Sequence, residues 1–103
     1  MDKPVHSKSE VLDLLRQNDA RIRSYAVSRL GLFGSFAKGS PRQDSDVDLL
    51  VEFEAGKKTF RNFMSLAFFL EELFRRKVEL VTPESISPCM REAILREAEN
   101  VIH

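Results

Sequence analysis

Residues 31–53 read GLFGSFAKGSPRQDSDVDLLVEF, and the two halves of this stretch follow different rules. In the second half Val47, Leu49, Val51 and Phe53 fall on one side of an extended chain, with Asp46, Asp48, Leu50 and Glu52 on the other, which predicts a strand over 47–53. Aspartate is among the poorest strand formers, and Asp44, Asp46 and Asp48 repel one another. Local propensity has therefore been given up at one edge of an apolar core, where functional sites tend to be found. In the first half, a strand over 28–33 ends at Gly34. Gly34, Ser35 and Gly39 then make a turn whose backbone N–H groups and hydroxyl can converge on an anion. Lys38 and Arg42 add positive charge. Carboxylates at i and i+2 of a strand, Asp46 and Asp48, project to the same side and suit an oxygen-seeking Mg²⁺ shared with substrate phosphates. A phosphate cradle beside metal-binding carboxylates is a layout for a nucleoside triphosphate.

Three other readings compete. A P-loop requires Gly-Lys-Ser/Thr after the spacing that Gly34 and Gly39 provide, but Ser40 and Pro41 follow instead. An EF-hand loop starting at Asp44 would need glycine where Leu49 stands and a bidentate glutamate where Ala55 stands. A polar turn with an Asx cap, with Asp46 and Asp48 merely on a solvated strand face, is the third, and against it stands the entry of two poor strand formers into a strand whose other residues are Val, Leu, Leu, Val and Phe.

Outward from this stretch, the 103 residues are expected to form one domain, 1–103, with room for a single core. Formal net charge is zero, so nothing marks the chain as a general nucleic-acid or membrane-surface binder. The single Cys89 excludes an internal disulfide, and His6 and His103 stand at opposite ends without ligand spacing. The start of the chain is polar, and no apolar run approaches the roughly 18–20 residues of a membrane span, so a cytoplasmic location is expected.

Ser7 with Glu10 has the form of a capping box opening a helix to about Asn18, with a short helical turn over 19–25. Thr59 caps a long helix from about Phe60 to Arg75. Phe60, Phe63, Met64, Ala67, Phe68, Leu70 and Phe74 overfill one stripe of it, which marks a central buried helix or one whose surplus face serves a homo-oligomer or partner interface. Residues 77–81, KVELV, predict a third strand. A final amphipathic helix is predicted over 88–102, with Pro88 in its first turn and Met90, Ile94, Ala98, Val101 and Ile102 inward.

Gly34-Ser35, ten residues, then Asp46-Val47-Asp48 resembles the GSx10DxD signature of the DNA polymerase beta-like nucleotidyltransferases. The short chain with GSFAKG, SDVDLLV and a later VEL is similar to the minimal nucleotidyltransferases of bacteria and archaea. The resemblance implies an α/β (α+β) palm, a small mixed sheet flanked by helices. In it Gly34, Ser35, Lys38, Gly39 and Arg42 would bind ATP or another NTP, and Asp46, Asp48 and Glu79 would hold two Mg²⁺ ions and carry catalysis. Glu79 departs from the aspartate most relatives have in this place, and Lys38 from a more frequent arginine. The implied reaction is in-line displacement at the α-phosphate with pyrophosphate leaving. Minimal members are commonly paired with a HEPN-domain protein, so the resemblance also implies an antitoxin that transfers AMP to a tyrosine of a HEPN toxin. One alternative is an aminoglycoside-type transferase, whose relatives usually carry an extra helical domain that this sequence does not contain. Another is a non-catalytic module that neutralises its partner by contact.

Overall fold

A computed structural model describes residues 4–102; His103 lies outside them. The chain opens with α1 (Lys8–Gln17) and α2 (Asp19–Arg23) and enters β1 (Val27–Phe33), followed by a single helical turn, α3 (Gly34–Ala37). After β2 (Val47–Phe53) come α4 (Phe60–Phe74) and β3 (Val78–Val81). A 3₁₀ turn (Pro83–Ser85) leads to α5 (Pro88–Glu97) and β4 (Glu99–Ile102). The four strands lie in the order β3-β2-β1-β4. β1 runs antiparallel to β2 and β4, and β3 runs parallel to β2. This is the mixed sheet flanked by helices that the resemblance implies.

Local chemistry sets the helix starts. The Glu10 N–H donates to Ser7 Oγ at 3.2 Å while the Glu10 carboxylate accepts from the His6 N–H at 2.7 Å. The Asn62 N–H donates to Thr59 Oγ1 at 3.1 Å, and α4 stops at Arg75, whose φ of 57° is left-handed. The alternation read in β2 holds for Val47, Leu49 and Val51, all fully buried. Leu50 on the opposite face is buried too, and the 3₁₀ turn lies close to β2. The core joins Val47, Leu49 and Val51 to Val11, Leu15, Ile22, Leu30, Leu32, Phe36, Leu66, Leu70 and Phe74.

Two expectations need correction. The final helix does not reach residue 102. It ends at Glu97, and Glu99–Ile102 pairs with the otherwise open edge of β1, Leu30 opposite Ile102 and Gly31 opposite Asn100. Ala98, Val101 and Ile102 satisfy a helical spacing in sequence, but an unpaired strand edge and a place for Ile102 in the core outweigh that local pattern. Gly31 permits the approach: a Cβ there would stand 2.9 Å from Asn100 Oδ1 and 3.2 Å from Ala98 Cβ. Met90, expected to face inward, is 56% exposed, and α5 has no fully buried residue. In α4 the inner stripe is Leu66, Leu70 and Phe74, so Phe60 and Phe68 lie outside it, exposed.

Candidate active site

The hairpin-like pairing of β1 with β2 brings the two halves of the opening stretch together. Phe33 stands opposite Asp48, so the chain leaving β1 turns at Gly34 directly over the Asp48 side chain. Gly34 has φ +75°, and a Cβ built on it would lie 2.1 Å from Asp48 Oδ2. Only glycine suits both that conformation and that contact. The Ser40 N–H bonds back to the Ser35 carbonyl at 3.1 Å, and Gly39, at φ +77°, carries the chain out of the turn. Lys38 ends the helical turn, and the exposed Arg42 follows in the loop, its N–H donating to Ser45 Oγ at 2.7 Å.

The parallel pairing of β2 with β3 supplies the third carboxylate. Asp48 and Glu79 are register partners, so both lie on one face of neighbouring strands while Val78 is buried on the other. Asp46 is half-buried two residues earlier, at the mouth of β2. Partial burial, and then the charges of Glu79, Asp46 and Glu97, push the Asp48 carboxyl up from 3.8 to about 6. This corner is therefore electrostatically unfavourable without a cation.

Among the described residues no three His, Cys, Asp or Glu side chains are gathered tightly enough to hold a metal as they stand. The donor set nevertheless fits Mg²⁺, which takes oxygen ligands, keeps several waters and needs only one or two carboxylates beside substrate phosphates. Asp46, Asp48 and Glu79 offer oxygen alone, Asp48 and Glu79 from adjoining strand positions and Asp46 from the loop end just before β2. The surface is an open end of the sheet. A cleft of about 400 Å³ lined by Gln43, Ser45, Asp46 and Arg76 borders it, whereas a larger concavity of about 450 Å³ lies away from it, between α1 and α4.

Two residues of this corner carry no signal in the sequence. Arg76 lies 5.3 Å over the Phe36 ring and donates to the carbonyls of Gln43, at 2.7 Å, and Ser45, at 3.1 Å. It thereby clasps the loop that delivers Asp46. Glu97, the last residue of α5, accepts from the Gly34 N–H at 3.3 Å and lies 3.8 Å from Lys38 Nζ. One is an arginine in an RRK run and the other a glutamate in a charged helix; only long-range packing gives them these places.

The chain matches the family described as nucleotidyltransferase domain over residues 9–101. The protein adenylyltransferase MntA of Thermococcus cleftensis is 34% identical over 89 residues, which are 85% of this chain and 89% of that protein. A solved structure described as a candidate minimal nucleotidyltransferase superposes with a TM-score of 0.71 at 38% identity, covering 85% of this chain and 93% of that one. A chain from the complex of tri-AMPylated Shewanella oneidensis HEPN toxin with MNT antitoxin shares the fold at 19% identity, with a TM-score of 0.61 over 87% of this chain and 71% of that one.

Proposed function

The chain belongs to the nucleotidyltransferase domain family, among its minimal members, and from that premise we propose that it transfers AMP from ATP to a tyrosine hydroxyl of a HEPN-domain toxin, as an antitoxin. One observation carries this reading: Asp48 lies against Gly34 on one side and in register with Glu79 on the other, so the glycine turn and two carboxylates, with Asp46 just before β2, share one end of the sheet. The adenylyltransferase relative supports the reaction, and the likeness of fold to the HEPN toxin complex suggests the acceptor.

In this reading the Gly34 and Ser35 N–H groups and the Ser35 hydroxyl bind phosphate oxygens, Gly39 shapes the turn, and Lys38 and Arg42 offset the charge of the polyphosphate tail. Asp46, Asp48 and Glu79 would hold Mg²⁺, which when bound supplies positive charge at the acceptor oxygen and the leaving phosphates. The tyrosine oxygen forms the new bond to the α-phosphorus, the bond to the β-phosphate oxygen breaks, and pyrophosphate departs. Glu79 accepts the tyrosine proton, directly or through water. An open end of the sheet gives a macromolecular acceptor access and leaves it to bring its own surface.

The test is the intact mass of a HEPN-domain protein encoded beside this chain, after incubation with it, Mg²⁺ and ATP. We expect a gain of one or more AMP units. With Asp46→Asn and Asp48→Asn together, the rate should fall by about a thousandfold or more in a protein that still folds. An unchanged mass in a stable complex would replace the transferase reading with neutralisation by contact.

A further inference from the structure

We infer that Glu97 is an internal stand-in for a substrate phosphate: its carboxylate holds the Gly34 N–H and the Lys38 ammonium in the nucleotide-free chain, and a triphosphate must displace it to bind. The inference rests on the nucleotide reading of the turn given above. Glu97 Oε1 accepts from the Gly34 N–H at 3.3 Å and lies 3.8 Å from Lys38 Nζ, so a single oxygen engages two of the groups that would meet phosphate. Carboxylate and phosphate oxygens ask the same of such a turn, a negative charge accepting from N–H donors.

As a fourth acid at this corner, Glu97 stands near enough to Asp48 to raise its carboxyl, as Glu79 and Asp46 do, and such like charges are unfavourable. Contact with the turn and with Lys38 offsets that cost. It does so only while no other anion is there.

The fold makes the displacement simple. The backbone of Glu97 is held because Ala98 follows directly and β4 is pinned to β1 at Ile102 and Asn100. The side chain is 33% exposed, and Lys38 is 66% exposed, so the contact opens to solvent by side-chain rotation while β4 stays paired. When the binding-competent state is one of two, the observed affinity is reduced by the fraction of chains in that state. Glu97 therefore weakens nucleotide binding, and by the same competition it favours release of the pyrophosphate product.

The experiment is calorimetric titration with MgATP of the wild-type chain, Glu97→Gln, Glu97→Asp and the Asp46→Asn/Asp48→Asn double variant, with thermal melts to establish folding. Glutamine keeps an oxygen able to accept from Gly34 but loses the charge, so Kd for MgATP should tighten about three- to tenfold. Aspartate keeps the charge but draws it back from the turn by one methylene, and should tighten binding by a smaller factor. Unchanged or weaker binding in Glu97→Gln, with wild-type binding that the double variant loses, would overturn this role for Glu97 and leave the nucleotide site standing. No MgATP binding by any folded variant would overturn both.

Discussion

At one end of the β1–β2 pair Phe33 stands opposite Asp48, and at the other Val27 stands opposite Phe53. The two ends are built from the same strands on opposite principles. Around Val27 and Phe53 aromatic packing dominates: the Phe53 and Phe63 rings are 6.5 Å apart, Tyr25 and Phe69 are 6.0 Å apart with the Arg21 guanidinium 4.8 Å from the Phe69 ring, and the Glu54 N–H closes onto the Ala26 carbonyl at 2.8 Å. Around Phe33 and Asp48 the chain turns through a glycine pressed against a carboxylate, with Glu79 and Glu97 adding like charge. A register shift between Val27 and Arg29 sets the Val27 end apart, and burial of Leu30, Leu32, Leu49 and Val51 holds the strands in register from Arg29 onward. That register keeps the acids together at the Asp48 end, where by themselves they would separate. The site is thus a local instability maintained by the rest of the sheet.

The contrast can be sharpened first where the apolar contribution is largest. Leu30, fully buried between Val51 and Ile102, should cost about 3 kcal/mol of stability as Leu30→Ala by urea unfolding, while MgATP affinity of the folded fraction stays as in wild type. A parallel loss of affinity would mean that the two ends are not separable. Gly34→Ala should have a smaller effect on stability, about 2 kcal/mol, because it combines a left-handed φ with a Cβ placed on Asp48. Unlike Leu30→Ala, it should abolish MgATP binding. Retained binding would show that the turn is not the phosphate cradle.

The smallest effect has the opposite sign. The Asp48 carboxyl titrates at about 6 in the folded chain against an ordinary 3.8, so the folded state holds this proton more tightly than the unfolded state does. That contribution to stability is complete below about pH 4 and is lost as the pH rises through about 6. Asp48→Asn should therefore stabilise the metal-free chain at pH 8 by on the order of 1 kcal/mol, a value reduced for solvent screening of a half-exposed group. The gain should fade towards pH 4 in thermal melts. A gain independent of pH would mean that the acidic corner is not strained by charge.

Much of this corner is legible in the residues themselves. Alternation over 47–53 places Asp46 and Asp48 beside an apolar strand, glycine at 34 and 39 marks positions of positive φ, and Ser7 and Thr59 announce their helices through capping. Each of these is a property of a few adjacent residues, carried by backbone sterics and by hydrogen bonds within one turn. The overfilled aromatic pattern of α4 reads as helix for the same reason, but it does not say that Phe60 and Phe68 stay outside while Leu66 goes in.

By itself, then, the sequence determined the helix starts, the two central strands, the turn and the pair of aspartates, because short-range sterics and side-chain periodicity decide them. Only the tertiary structure decided that Glu79 lies in register with Asp48, that residues 99–102 leave their helical pattern to close the edge of β1, and that Arg76 and Glu97 reach the site. Those outcomes join residues about 30 to 70 positions apart in the chain, and they follow from which strand edge is left unpaired and which charges packing forces together, terms that no local window of residues contains.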